Sequence, residues 1–223
     1  ALARLLIRQG KSKEAIATLE EALKAYRQLV NSDEDSTTYL SGLADTRVTL
    51  GNALHATGEN DRQLSFYKDA AADYVELIQA RPGVPRYRSN LVAAQTNIAQ
   101  VLYRRGDAVA AIEELSVALQ QVEALPDSPE KVEQDAYVRV TFGQILRDSG
   151  GDAANTENAF GTADELCTDL VQFRPDHSPY RVLHGEVKNN VGVHYLLGND
   201  LEIAEVAFTS ALADFGKALE LNK

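Results

Sequence analysis

Gly10-Lys11-Ser12 has the residue types of a phosphate-binding loop: a glycine for close backbone approach, then a lysine and a hydroxyl. The spacing does not follow. That loop needs a glycine five residues before Gly10, where Leu5 stands, and a preceding strand, where this pattern reads as helix. The stretch is therefore expected to be a turn between two helices. His55, His177, His184 and His194 contain no i, i+4 pair of the helical zinc type. Cys167 is the single cysteine and stands between Leu166 and Leu170, which reads as a buried, inert thiol. Ser178, in the stretch Asp176-His177-Ser178, is expected to cap a helix that has Pro179 at its first position. Glu113-Glu114 and Asp33-Glu34-Asp35 read as a solvated helix face and a linker, since a calcium loop needs a glycine at its sixth position. Nothing marks an activated nucleophile. No catalytic residue, metal or cofactor is assigned, and the chain is expected not to be an enzyme.

Composition narrows the partners. The chain has 223 residues, 44% of them hydrophobic, with 7% aromatics and no tryptophan. Its abundant alanine favours helix over sheet. With 22 basic against 33 acidic residues the net charge is −11, which argues against nucleic acid and against an anionic membrane surface. Basic or neutral protein partners fit that charge. One cysteine allows no internal disulfide, and a reducing, cytoplasmic setting fits. No apolar run approaches the roughly 20 residues needed to span a bilayer. The first residues, Ala1–Gly10, have neither an initiator methionine nor the shape of a signal peptide, and they begin partway through a repeating unit. A fragment of a longer protein is the expectation.

That unit positions everything else. Ile98-Ala99-x-x-Leu102 precedes Gly106, and Ala111, Leu115 and Ala118 follow. The pattern returns as Leu2-Ala3-x-x-Leu6, Leu50-Gly51-x-x-Leu54, Phe142-Gly143-x-x-Leu146 and Val191-Gly192-x-x-Tyr195, each followed by glycine and a second apolar helix. It predicts helix, tight turn, helix. The small residue lets the second helix approach, and alanines on that helix return the contact. Gly10, Gly58, Gly106 and Gly150 suit left-handed helix ends. Asp61, Asp107, Asp152 and Asp200 suit an N-cap or a negative first turn. Gln63 and Thr156 stand where the second helix usually has alanine, which predicts looser packing in the second and fourth copies.

Five such copies resemble the tetratricopeptide repeat family, whose signature is L-G-x2-Y, then A-x3-F, then alanine. The resemblance implies an all-α fold: a right-handed α-α superhelix, or solenoid, of about four and a half helix-turn-helix repeats. The units are expected near 1–35, 36–84, 85–128, 129–177 and 178–223 of one array, the first truncated. The small residues at 3, 51, 99, 143 and 192 are spaced more widely than the usual ~34. "RPGVPRYR" (81–88) and "RPDHSPYR" (174–181) each open a first helix, with Tyr87 and Tyr180 twelve residues ahead of the small residue, as Tyr39 also is. Helices of about 17–22 residues follow from this spacing. The long form, with Tyr39-x3-Leu43-Ala44 and "NNVG" (189–192), is similar to arrays that follow the kinase domain of certain bacterial serine/threonine protein kinases. No kinase motif lies within the chain itself.

In that family, peptides lie along a concave wall lined by the first helices. The positions around the small residue give Asn52, His55, Asn97, Gln100, Tyr103, Arg104, Gln144, Arg147 and Asn190, five of them amides. An amide both donates and accepts, so it suits an extended backbone of any sequence. Tyr103 adds an apolar anchor, while Arg104 and Arg147 suit a carboxylate or phosphate. Asn52 and Asn97 match the two asparagines of the family's carboxylate clamp. Val48, Tyr137 and Thr141 replace its basic groups, so that clamp is not expected. The alternative is a structural or oligomerisation module with no groove ligand. Phe208, Leu212, Phe215 and Leu219 have no following unit to cover them, and self-association through the ends is expected.

Overall fold

The leading helix of each copy ends by a local device. Gly10, Gly58, Gly106 and Gly150 have φ of 74°, 73°, 87° and 71°, the left-handed conformation that glycine enters without steric cost. After Gly106, the Asp107 N–H donates to the Leu102 carbonyl (3.0 Å) and the Gly106 N–H to the Tyr103 carbonyl (2.9 Å). These are the paired bonds that satisfy the last carbonyls of a helix. Gly10 and Gly150 close in the same way. In the last copy Asn199, with φ 63°, takes the place of the glycine. The second helix then starts on an aspartate: Asp107, Asp152 and Asp200 accept from Ala110, Asn155 and Ile203 N–H. Asp61 lies in the first turn of its helix.

Ten α-helices result in this computed structural model, which describes residues 2–32 and 37–222. The run Asp33-Glu34-Asp35 lies outside them. In order the helices are α1 Leu2–Arg8, α2 Ser12–Ser32, α3 Thr37–His55, α4 Asn60–Ala80, α5 Pro85–Arg104, α6 Ala108–Glu123, α7 Pro129–Asp148, α8 Ala153–Phe173, α9 Ser178–Leu197 and α10 Leu201–Leu221. Among the described residues there is no strand. The chain divides into two compact units, Ala1–Leu125 and Pro126–Lys223. In the first, α1/α2, α3/α4 and α5/α6 are antiparallel hairpins, and α2 packs on α3 and α4 on α5. In the second, the hairpins are α7/α8 and α9/α10, and α9 packs on both α8 and α7.

The small residues that recur along the leading helices are seats for side chains. A Cβ on Gly143 would lie 2.8 Å from Phe160 Cε1, and one on Gly192 or Gly185 would lie 2.7 Å from Phe208 or Phe215. On Gly51 and Gly42 it would clash with the rings of Tyr67 and Tyr26. The expected close approach therefore holds, but an aromatic ring occupies the space. Where the small residue is Ala3 or Ala99, the matching position on the second helix is Leu19 or Leu115, all four buried. Glycine goes with a ring and alanine with leucine, so the combined volume stays nearly level, as a close-packed interior requires.

Several expectations change. Gln63 does not loosen its hairpin: it is 2% exposed and its Nε2 donates to the Gly51 carbonyl at 3.1 Å. Thr156 is buried as well, its hydroxyl returned to the Asp152 carbonyl. Phe208 and Phe215 are half-buried because Gly192 and Gly185 receive them, whereas Leu212 and Leu219 remain 72% and 69% exposed. Ser178 does not cap α9. It is the first helical residue, and its hydroxyl joins the end of α10, donating to the Ala218 carbonyl (3.3 Å) and accepting from Asn222 Nδ2 (2.8 Å).

In the second unit α8, α9 and α10 also meet through charge. Arg181 Nη1 donates to Asp214 Oδ1 at 2.9 Å. His184 Nδ1 lies 2.8 Å from Asp214 and its Nε2 3.4 Å from Asp164. Lys188 Nζ is 2.7 Å from Asp164. Burial pushes the Asp164 carboxyl up, but His184 and Lys188 outweigh it and hold the group below its ordinary 3.8. A carboxyl lowered by folding stabilises above its ordinary range, and that stabilisation is lost as pH falls through the lowered value. The stability difference between the native chain and Asp164→Asn should therefore be full at neutral pH and shrink below about pH 4, read as urea midpoints against pH. Cys167, buried beside this cluster, has its thiol pushed up to about 12 by burial and by the carboxylates of Asp164 and Asp214, so it is not a nucleophile at neutral pH.

Candidate functional site

The leading helices α3 and α5 carry the sequence-predicted groove residues of the first unit. Asn52 and His55 are exposed on the last turn of α3, while Asn97 and Gln100 are half-buried on α5 and Arg104 is exposed at its end. These five line one hollow of about 290 Å³, together with Gln63 and Tyr67 of α4. Tyr103 is half-buried on α5 and is not among the residues lining it. A second hollow of about 440 Å³ adjoins through the shared Asn52 and is bounded by α1, α3, α4 and α5. Its walls include Ile7, Val48 and Ala93, with Arg8, Asp45, Thr49, Tyr74 and Asn90 as charged and polar groups. Val48, standing at a clamp lysine position, thus supplies an apolar wall.

Buried bonds hold the floor of the first hollow. Gln63 Nε2 faces the Gly51 carbonyl (3.1 Å) and the Tyr67 hydroxyl (3.4 Å). The Tyr67 hydroxyl donates to Asn52 Oδ1 at 2.6 Å. Arg104 Nη2 donates to Gln63 Oε1 at 2.9 Å. In the second hollow, Asp45 accepts from the Tyr74 hydroxyl (2.7 Å), Asn90 Nδ2 (3.2 Å) and Arg86 Nη2 (2.7 Å), which occupies both its oxygens. Burial first, then the Asp45 carboxylate, push the Tyr74 hydroxyl far up, so it stays a donor.

The second unit treats its candidates differently. Gln144 is exposed on α7. Arg147, on the last turn of α7, donates to the Asn190 carbonyl (3.1 Å), to Asn190 Oδ1 (3.3 Å) and to Asp148 (2.7 Å). Its guanidinium also stands 5.8 Å over the Phe160 ring, close enough for a cation–π contact. Arg147 and Asn190 are brought together, but each meets the other and joins α7 to α9. Of the two arginines read as anion anchors, Arg104 is presented to a hollow and Arg147 is engaged by the fold. Gln63, Tyr67, Asp45 and Asn90 were not among the predicted site residues. Only Gln63 carried a signal, as a polar residue at an alanine position.

Among the described residues no cluster of three or more histidine, cysteine or acidic side chains has the arrangement to hold a metal ion. Nor is any helix among them long and apolar enough to cross a membrane.

Comparison with known proteins agrees with this architecture. Residues 1–35 match the tetratricopeptide repeat family model. Among curated proteins none matches the chain. Among solved structures it is similar to BtubC (BKLC) from P. vanneervenii, with TM-score 0.69 and 18% identity over 95% of this chain and 84% of that one. It is also similar to a putative kinesin light chain with nearly identical TPR-like repeats from Podosopora anserina, with TM-score 0.56 and 16% identity over 97% and 92% of the two chains. The helix hairpins and these shared folds show a helical repeat fold of the tetratricopeptide-like kind, and the family match itself covers residues 1–35.

Proposed function

We propose that the chain is a protein-interaction scaffold that holds an extended segment of a partner protein along the leading helices of its first unit. The reading rests on one observation. Five side chains selected by repeat position alone, Asn52, His55, Asn97, Gln100 and Arg104, line a single hollow. Amides and an arginine suit the polar backbone of a peptide, and the apolar wall of the second hollow, Ile7, Val48 and Ala93, suits a side chain of that peptide. The partner is protein, neither nucleic acid nor membrane, in keeping with a net charge of −11. The long repeat form supports a place in a cytoplasmic bacterial signalling protein such as a serine/threonine kinase, with any catalytic domain outside these residues.

Asn97→Ala with Gln100→Ala should weaken capture of a bound partner by at least about tenfold, taking two lost hydrogen bonds. Circular dichroism should be unchanged. Unaltered capture would favour the alternative, a structural module that joins copies through its ends. The exposed Leu212 and Leu219 of α10 are the feature that favours it.

A further inference from the structure

The bonds beneath the first hollow have a direction, and it is fixed from inside the protein. A backbone carbonyl only accepts. The Gly51 carbonyl therefore sets the Gln63 amide with its Nε2 inward, which turns Oε1 toward Arg104. The Tyr67 hydroxyl, facing Gln63 Nε2, must then donate onward, and Asn52 Oδ1 receives that proton. What Asn52 has left to offer the hollow is its NH2 group. Arg104 has only N–H groups to offer.

Arg104 also brings a positive charge to the hollow. Arg47, Arg62, Arg86, Arg105, Arg139 and Arg181 each lie within ion-pair distance of a carboxylate, whereas Arg104, like Arg88, meets a neutral amide. No aspartate or glutamate lines the hollow. A chain with 33 acidic residues has kept them out of this one concavity.

Resting on the groove reading above, we infer that the hollow is a receptor for a carboxylate, supplied by an aspartate or glutamate side chain of the bound segment. Arg104 and Asn52 Nδ2 are its donors. Gln63 is a positioning residue that holds Arg104 by one nitrogen and, through Tyr67, turns Asn52 to present its NH2. The adjoining hollow makes a side chain the better source than a chain terminus. It shares Asn52 with the first and is lined in part by Val48 and Ala93, so a segment filling both hollows continues through the site. The overall acidity of the chain favours basic or neutral partners, and this pocket makes a local exception to it.

The test uses the full chain, 15N-labelled, with three octapeptides. The first is acetylated, amidated and alternates alanine with glutamate. The second replaces each glutamate by glutamine. The third is the glutamine peptide with a free C-terminal carboxylate. Affinities are read from shifts of the Asn52 and Asn97 side-chain amides and the Arg104 Nε–H. The glutamate peptide should bind at least about tenfold tighter than its glutamine counterpart, the value of a charge-assisted bond. Gln63→Leu and the exposed Arg104→Gln should each bring that ratio near one, because the glutamate peptide loses far more affinity than the glutamine peptide. A purely structural role for Gln63 would weaken both peptides alike and leave the ratio intact, which overturns the assignment. Equal binding of the first two peptides by the native chain overturns the inference and leaves the groove reading standing. Preference for the free-carboxylate peptide over the glutamate peptide makes the site a terminus receptor and overturns the side-chain assignment. If none of the three binds, both readings fall.

Discussion

Asp214→Ala should cost the second unit about 3–5 kcal/mol, the usual penalty for removing one partner of a buried ion pair. Asp214 is 6% exposed on α10 and is the acceptor for Arg181 as well as the near neighbour of His184, both on α9. Its loss leaves a guanidinium with one remaining bond, Nε to the Pro175 carbonyl at 2.9 Å, in a place that water reaches poorly. The damage should be local. Native-state hydrogen exchange should show the amides of α9 and α10 opening at lower free energy while those of α3 to α6 keep their protection. The first unit supplies a milder variant. Arg88 stands 93 residues before Arg181 and donates to Gln121, which stands 93 residues before Asp214. A neutral amide does the carboxylate's work there, so Asp214→Gln should cost less than Asp214→Ala. Equal losses would show that the charge, and not the acceptor, holds the hairpin.

Gly143→Ala should destabilise by about 1–3 kcal/mol, the range for overpacking a filled core. The new methyl would stand 2.8 Å from Phe160 Cε1. The ring cannot swing away freely, because the Arg147 guanidinium lies over it and His194 lies 5.8 Å from it, centre to centre. Phe160→Leu alone leaves a void above the glycine and should also be costly, by about 1 kcal/mol or more. The double change Gly143→Ala with Phe160→Leu copies the Ala99 and Leu115 arrangement. It should lose less than the two single changes added together, with a coupling of about 1 kcal/mol or more. Urea midpoints of the four proteins decide it. Strict additivity would mean that the glycine and the ring do not share one space.

How much of this was legible in the sequence depends on the distance over which each feature is decided. Helix ends are decided within six residues, so Gly10, Gly58, Gly106, Gly150 and the capping aspartates could be read directly. The repeat itself was legible because five copies report the same spacing. Gln63 was visible as a departure and misread as looseness. Its partners, Gly51 and Arg104, stand 12 and 41 residues away, and no periodicity joins them. Ser178 failed for the same reason: the motif Ser-Pro resembles a cap, but the end of α10, 40 residues on, offered the better partner. Arg181, His184 and Lys188 could be seen to share a face of α9 at spacings of three and four. Asp164 and Asp214, which give that face its meaning, could not. Among the groove residues, Asn52, Asn97 and Arg104 line one hollow, while the repeat had no means of seeing that Arg147 would be taken by Asn190.

The alternation of small residue and partner bears on how such a chain avoids joining the wrong pieces of itself. Near-copies in one polypeptide invite a helix to dock on the hairpin next door, a known hazard of repeat folding. In order, the five hairpins read Ala3 with Leu19, Gly51 with Tyr67, Ala99 with Leu115, Gly143 with Phe160 and Gly192 with Phe208. Across the first four, successive hairpins carry opposite types. A second helix that strays to a neighbour there brings a ring against a methyl, or a leucine over an empty notch, and loses stability either way. Among neighbours only the last two hairpins share a type, so theirs is the one exchange between adjacent hairpins that this lock leaves unguarded.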